Sequence, residues 1–249
     1  MSGHSKWATI KHKKGAADKA RGKLFAKLIR QVEVAAREGG GDPDMNPTLR
    51  TMYQKARDAS VPLDTIERAI KRGTGELEGV TYEQITYEGY APNGVAVLIE
   101  VLTDNRNRTG GDVRSLLKKT GGSIAEPGAV AWQFERKGVV VIPGSVAEDD
   151  IMVAALDAGA EDIIDEGDTW RLTCAASDLP AVRGALEEAD IAFESADVTM
   201  VSSTNVPLET PEAAKAVLKV IDALEENDDV QDVYANFDIP DELLQSLEA

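Results

Sequence analysis

Residues 139–201 show the clearest hydrophobic pattern of the chain, in the stretch VVVIPGSVAEDDIMVAALDAGAEDIIDEGDTWRLTCAASDLPAVRGALEEADIAFESADVTMV. Apolar and β-branched runs bounded by turn residues predict four strands, at 139–142, 162–165, 169–175 and 193–201. Apolar residues at helical spacing predict two helices between them, at 148–158 and 178–189. The resulting order, strand-helix-strand-strand-helix-strand, is that of a ferredoxin-like domain. We therefore expect residues 139–200 to form such a domain.

The segments on either side of this domain predict one further sheet that is divided in the sequence. Before it, strands at 82–90 and 95–102 flank Ala91-Pro92-Asn93-Gly94, a turn that is typical of a hairpin. After it, a helix at 210–226 and a strand at 230–237 have no partner of their own. We expect these last elements to complete the sheet that begins with the hairpin. The ferredoxin-like domain is then an insertion into a discontinuous α/β domain of residues 76–138 and 201–238.

The first 75 residues predict a polar tail and a small helical bundle. A helix at 17–38 places most of its apolar residues on one face and a row of basic residues on the opposite face. Two shorter helices begin near Asn46-Pro47 and Asp64, since Asn and Asp are favourable helix caps. Helices with short connections pack as a bundle. The expected fold class is therefore α+β, with an N-terminal three-helix bundle followed by two α/β domains, the last inserted into the middle one.

The charges of the chain change sign along its length. Residues 1–75 carry 16 Lys and Arg against 8 Asp and Glu, a net charge of +8. Residues 76–138 have a net charge of −2, and residues 139–249 have one of −23, for a total of −17. Because phosphates respond to a local patch of charge, the basic end favours a nucleic-acid partner in spite of the acidic total.

The composition argues against several classes of protein. Cys174 is the only cysteine, which excludes an internal disulfide and a zinc site built on cysteines. His4 and His12 are the only histidines, and both are close to the N-terminus, a poor position for a catalytic triad. Walker, dinucleotide-binding and nucleophile-elbow motifs are absent. The sequence contains neither an apolar membrane-spanning run nor the apolar core of a signal peptide. We predict a cytoplasmic non-enzyme that needs no cofactor or metal.

The basic tail and the first helix are the foremost candidates for nucleic-acid binding. Residues 1–30 hold nine Lys and Arg but only one acid, Asp18. Cations on this segment can neutralise phosphates and release counterions, and Trp or His side chains can stack on bases. The candidates are His4, Lys6, Trp7, Lys11, His12, Lys13, Lys14, Lys19, Lys23, Lys27 and Arg30. The alternatives are a solvated tail and, with less support, binding to an anionic membrane surface.

Two other basic segments each have two interpretations. Arg106 and Arg108 follow a predicted strand, in a loop before a helix at about 111–119, and could bind phosphates or bases. They could equally belong to a polar capping loop and pair with carboxylates. The third helix offers basic side chains in a helix-break-helix pattern similar to a helix-turn-helix. Its candidates are Thr65, Arg68, Lys71 and Arg72, but we favour the solvated side of a bundle helix.

Acidic clusters mark the C-terminal half of the chain. They lie at 148–150, 161–162, 225–226 and 228–229. Such clusters can bind Mg²⁺ or Ca²⁺, but none has the residue order of an EF-hand. We interpret them as a solvated face. An acidic half would also repel nucleic acid and so confine binding to the basic end.

Several runs of the sequence closely resemble the YebC/PmpR family. The most specific are Gly3-His4-Ser5-Lys6-Trp7, Ile10-Lys11-His12-Lys13-Lys14 and AAREGGGDP at 35–43. Further runs include Asn46-Pro47, IERAI at 66–70, YEGY at 87–90 and LTDNRNR at 102–108. Leu63 stands where the family often has Lys, which removes one charge from the third helix. The similarity extends over essentially the whole chain.

The resemblance implies three domains and a cytoplasmic role in gene expression without catalysis. The family is classed as transcriptional regulatory proteins that bind DNA. Its mitochondrial branch is a translational activator of cytochrome c oxidase, and bacterial members are also viewed as ribosome-associated translation factors. The resemblance therefore leaves open whether DNA, or rRNA or tRNA on the ribosome, is the target.

Three functional hypotheses follow. The first is a DNA-binding regulator of transcription that uses the basic bundle. The second is a ribosome-binding translation factor whose basic tail and Arg106/Arg108 loop contact folded RNA. The third is an adaptor whose acidic half binds a basic protein. The sequence does not give the oligomeric state.

Overall fold

The computed structural model describes residues 18–240 and 243–244. The chain forms two compact units, of which one contains Ala131–Pro207 with Asn236–Asp238. The other contains the described parts of His4–Val130, Leu208–Ala235 and Ile239–Ala249. Helices and antiparallel sheets occur together, so the predicted α+β class is confirmed.

Three helices at the start of the described chain form the predicted bundle. They are α1 (Asp18–Gly39), α2 (Pro47–Asp58) and α3 (Leu63–Gly73). Asn46 caps α2, as the sequence predicts, because its Oδ1 accepts from the Leu49 amide at 3.0 Å. The fully buried side chains of the bundle are apolar, and they include Val32, Leu49, Ala56, Ile66 and Ala69.

A four-stranded sheet belongs to the same unit as the bundle. Its strands are β1 (Glu83–Tyr90), β2 (Ala96–Thr103), β3 (Ser123–Ile124) and, late in the chain, β9 (Val230–Ala235). The helices α4 (Arg106–Thr120) and α7 (Pro211–Glu225) pack against each other. The β1–β2 hairpin is confirmed, with Asn93 and Gly94 at φ values of 64° and 76° in its turn.

The order of this sheet explains how the chain is divided. The strands lie in the order β3-β1-β2-β9, and β9 pairs antiparallel with β2. Val97 lies opposite Ala235, although the two residues are far apart in the sequence. The last helix and strand therefore complete the sheet that begins with the hairpin, as expected.

The second unit contains the predicted ferredoxin-like motif. Its elements are β4 (Phe134–Pro143), α5 (Glu148–Ala155), β5 (Ala160–Asp165), β6 (Thr169–Ala175), α6 (Leu179–Glu188) and β7 (Ser195–Ser202). The antiparallel sheet has the order β5-β6-β4-β7. Two short strands, β8 (Val206–Pro207) and β10 (Phe237–Asp238), pair in parallel in this unit.

Strand β4 is longer than the sequence pattern predicts. It begins at Phe134, whereas the apolar run begins at Val139. Its first residues are mostly polar and exposed, and they pair with β7. Backbone pairing therefore extends the strand beyond the residues that pack into the core.

Candidate nucleic-acid interface

The predicted binding residues fall into two groups. Those of the tail lie outside the described residues, namely His4, Lys6, Trp7, Lys11, His12, Lys13 and Lys14. Lys19 belongs to α1, but its side chain is also outside the description. The role of these residues stays a prediction. Lys23, Lys27, Arg30, Arg106 and Arg108 all lie in the described chain.

The basic face of α1 contacts the end of α7. Lys23 Nζ donates to the Glu226 carbonyl at 2.7 Å, and Lys27 Nζ donates to the Glu225 carbonyl at 3.1 Å. The last carbonyls of a helix lack partners within the helix and lie at the negative end of its dipole. Two candidate phosphate ligands thus have acceptors within the same unit.

Burial reinforces the internal role of this face. Desolvation lowers the pKa of Lys27 below its usual value, although the charges of Glu225 and Asp232 oppose the shift. Lys27 is half-buried and not fully hydrated. A phosphate that bound Lys27 would have to compete with the end of α7.

Arg30 extends the same contact beyond the end of α7. Its guanidinium donates to the Asp228 carbonyl at 2.7 Å and to Asp229 Oδ1 at 3.0 Å. It also lies 5.5 Å from the ring centroid of Tyr82. A charged and multiply bonded Arg of this kind is stabilising because its donors and its charge are both satisfied.

Asp229 connects α1, α4 and the strand β2. Its Oδ2 accepts from Arg108 at 2.7 Å and from Thr109 Oγ1 at 2.6 Å, while Oδ1 accepts from Arg30. Thr103 Oγ1 lies 3.3 Å from the same carboxylate. The side chain of Asp229 is only 9% exposed. The prediction of a solvated acidic face is therefore wrong for Asp229, because this carboxylate is buried among two cations and two hydroxyls.

The protonation of this cluster favours its charged form. Burial alone would raise the pKa of Asp229, but hydrogen bonds from Arg108 and Thr109 and the charges of Arg108 and Arg30 hold it below its usual value. Hydrogen bonds to Asp229 and Asp104 raise the pKa of Arg108. The cluster is consequently an ion pair at neutral pH.

Arg106 and Arg108 lie in the first turn of α4, and not in a loop as predicted. The helix starts earlier than the sequence suggests because Asn105 caps it, accepting from the Arg108 amide at 3.1 Å. Arg108 pairs with Asp104 at 2.8 Å as well as with Asp229. Arg106 is exposed, and its side chain has no hydrogen-bond or ionic partner among residues 18–240. The two arginines therefore have different environments, and only Arg108 fits the capping interpretation.

The third helix provides few unoccupied basic groups. Arg68 forms an ion pair with Asp64 one turn away, and Arg72 donates to the buried Glu33 at 2.8 Å. Thr65 is half-buried. Lys71 is exposed. This arrangement favours a structural bundle helix over a recognition helix.

The sequence-based prediction does not include three cations of α4. Arg114, Lys118 and Lys119 are exposed and have no hydrogen-bond or ionic partner in the described part of the chain. The spacing of four residues between Arg114 and Lys118 was the available signal. Extending the helix back to Arg106 would have placed these residues on one helix with it.

The described residues were also compared with what a metal site, a membrane span and a reactive thiol require. No group of three or more His, Cys, Asp or Glu residues is arranged there to hold a metal ion. None of the helices described is both long and apolar enough to span a membrane. Cys174 is buried, and burial raises the pKa of its thiol, which weakens it as a nucleophile.

Comparisons with known proteins cover both units. Residues 5–76 match a family model described as the TACO1/YebC protein N-terminal domain. Residues 82–237 match one described as the TACO1/YebC second and third domain. The two matches together include nearly all of the chain.

Similar proteins share the full length of the chain. A protein of Halothermothrix orenii is 54% identical over 99% of this chain and 99% of its own. One from Thermobifida fusca is 57% identical, over 99% and 100%, and one from Rubrobacter xylanophilus is 58% identical, over 98% of each chain. All three are named "Probable transcriptional regulatory protein". The crystal structure of a conserved hypothetical protein from Aquifex aeolicus has a TM-score of 0.78 and 45% identity, covering 90% of this chain and 93% of that one.

Proposed function

The chain belongs to the TACO1/YebC family, and we propose that it is a non-enzymatic regulator of gene expression that binds nucleic acid in the cytoplasm. Duplex DNA is the first candidate target, because the relatives are named as transcriptional regulatory proteins.

One observation carries the proposal. Residues 1–30 hold nine Lys and Arg and a single acid, in a chain whose net charge is −17. Such a segment attracts phosphates while the acidic remainder repels them, which orients the chain on a nucleic acid. Because Lys23, Lys27 and Arg30 are occupied within the protein, the main contribution falls on the cations between Lys6 and Lys14.

The salt dependence of binding tests this assignment. Replacing Lys13 and Lys14 with Gln should reduce the slope of log K against log salt by about 2, because each lost phosphate contact removes about 0.9. The measurement is fluorescence anisotropy with a labelled DNA duplex at several salt concentrations. Including Lys6 and Lys11 should raise the reduction to about 4.

The variant K215Q/K219Q is a matched control. It removes the same charge from exposed positions of α7, on which Glu212 and Asp222 are also exposed. Its slope should stay close to that of the wild type. Equal reductions in both double variants, or none in either, would argue against binding through the tail.

Folded RNA on the ribosome is the second candidate target. It is favoured by the occupied state of the third helix, where Arg68 and Arg72 pair with acids and do not present a base-reading surface. RNA recognition by shape and phosphate needs no such helix. Sedimentation of lysate through sucrose distinguishes the two targets. Co-migration with ribosomes that high salt abolishes supports RNA, whereas confinement to the top fractions with tight binding to a promoter duplex supports DNA.

A further inference from the structure

Helix α4 presents a basic face of its own, in addition to the basic row of α1. Arg114 and Lys118 are exposed, and their side chains lack ionic or hydrogen-bond partners among the described residues. At about 100° per residue, Arg114 and Lys118 lie within about 40° of each other, one turn apart along the axis. Asn107 falls between them in projection and is also exposed. These side chains form one stripe of donors directed to solvent.

The acids of α4 do not neutralise this stripe. Asp112 is the only acid within the helix, and it lies more than about 100° from Arg114 and from Lys118. Asp104, just before the helix, is bonded to Arg108. Consequently the positive charge of the stripe is uncompensated along the helix itself.

A glycine within the stripe has no structural explanation in the described residues. At Gly110, an added Cβ would lie 3.0 Å from Tyr87 Oη, so Tyr87 leaves little room for a side chain there. At Gly111, an added Cβ would meet nothing within 4 Å. A glycine inside a helix is destabilising by about 0.5–1 kcal/mol relative to Ala. Packing does not require Gly111, but a close approach of another molecule to the helix backbone would.

We propose that the face of α4 formed by Asn107, Gly111, Arg114 and Lys118 binds the phosphate backbone of a nucleic-acid double helix. This inference rests on the proposed function and gives it a second contact surface. Long cationic side chains and amides are typical phosphate ligands. The stripe has no aromatic residue on which an unpaired base could stack, which disfavours a single strand.

The length of the face suits a duplex. Asn107 and Lys118 are 11 residues apart, which corresponds to about 17 Å along a helix axis. One strand of a duplex carries a phosphate for about every 3.4 Å of its axis, so several phosphates lie within that length. A flat face at Gly111 lets the backbone of α4 come close to the sugar-phosphate chain.

The variant R114Q/K118Q tests the proposal in the full-length protein. We expect at least about a tenfold loss of affinity at 0.1 M salt and a slope that falls by about 2. The melting temperature should not change, because neither side chain has a partner among the residues that the structure describes. The probes are a DNA duplex and an RNA hairpin stem of equal length, and the probe that loses affinity identifies which double helix is bound.

The variant K215Q/K219Q again provides the matched control. It removes two exposed charges from α7, the helix that packs beside α4. Its affinity should stay within about twofold of the wild type. If both double variants lose affinity equally, or if R114Q/K118Q loses none, the assignment of this face is overturned. Loss in K13Q/K14Q without loss in R114Q/K118Q would leave the proposed function intact and remove the α4 surface alone.

Gly111→Ala separates binding from stability. The added methyl should raise the melting temperature by improving helix propensity, yet lower duplex affinity severalfold by blocking the close approach. Gly184→Ala in α6 is the control, because Gly184 likewise has open space around an added Cβ. Gly184→Ala should raise the melting temperature and leave duplex affinity unchanged. If Gly111→Ala binds the duplex as tightly as the wild type does, the duplex does not approach α4 closely at Gly111.

Discussion

Helices α1 and α4 each carry a row of basic residues, but their surroundings differ. Lys23, Lys27 and Arg30 of α1 donate to carbonyls and a carboxylate at the end of α7. Arg114 and Lys118 of α4 have no such partner among the described residues. The first row joins two parts of one unit, whereas the described residues provide no ionic or hydrogen-bond partner for the side chains of the second.

A basic helix face is therefore not by itself an interface. Whether its charges are available depends on the acceptors that the fold brings to it. For α1 these acceptors are distant in the sequence, since Lys23 donates to the carbonyl of Glu226, 203 residues away. Local charge patterns therefore identify cations without showing which of them are occupied.

Asp229→Asn should have the largest effect, because it disrupts the contacts of α1 with the end of α7. It removes the charge that Arg30 and Arg108 share, and should lower the free energy of unfolding by about 2–3 kcal/mol. This loss of stability is smaller than for a fully buried ion pair, because Arg108 is half-exposed. Urea denaturation measures it. Asp228→Asn is the control, since that side chain is 73% exposed and should change stability by less than about 0.5 kcal/mol.

The pH dependence of the same variant checks the cause. The pKa of Asp229 is lower in the folded protein than in the unfolded chain, where it is about 3.9. The carboxylate thus stabilises the fold above that value, and the stabilisation is lost as the pH falls towards the folded-state pKa. The wild type and Asp229→Asn should differ most above about pH 5 and converge below about pH 4. A difference that stays constant down to about pH 2 would indicate packing and not charge.

Variants that neutralise each basic row allow the contributions of the α1 and α4 rows to stability to be compared directly. K27Q/R30Q should lower the free energy of unfolding by about 1–2 kcal/mol, because charge-assisted bonds to α7 and Asp229 are lost. R114Q/K118Q should change it by less than about 0.5 kcal/mol. Thermal and urea unfolding of both variants provide the measurement. Equal stability losses would mean that the α4 row also has a structural role.

Arg106 and Arg108, both in the first turn of α4, show the same contrast with a smaller expected effect. Arg108→Ala should lower the melting temperature, though less than Asp229→Asn, because Asp229 keeps Arg30 and Thr109. Arg106→Ala should leave the melting temperature unchanged and reduce duplex affinity. Calorimetry and anisotropy on the two single variants suffice. A destabilised Arg106→Ala together with intact binding would assign Arg106 to the fold.

Much of the fold was predictable because its signals are local. The period of the apolar residues indicated the ferredoxin-like order, and Asn46-Pro47 marked the start of α2. The sequence pattern predicts a start for α4 at about residue 111, which is too late because the cap at Asn105 begins the helix at Arg106. The extent of β4 was also missed, since polar residues at its start show no core-facing alternation.

The amino-acid sequence alone predicts the α+β class, the helical bundle, the divided sheet and the concentration of cations at the N-terminal end. These follow from hydrophobic periodicity, turn residues and charge counts, which depend on neighbouring residues. Only the tertiary structure decided that Asp229 is buried, that Arg30 and Arg108 share it, and that the α4 row has no partner in the described chain. Burial and ion pairing depend on groups that folding brings together across long separations, and a charge pattern does not contain that information.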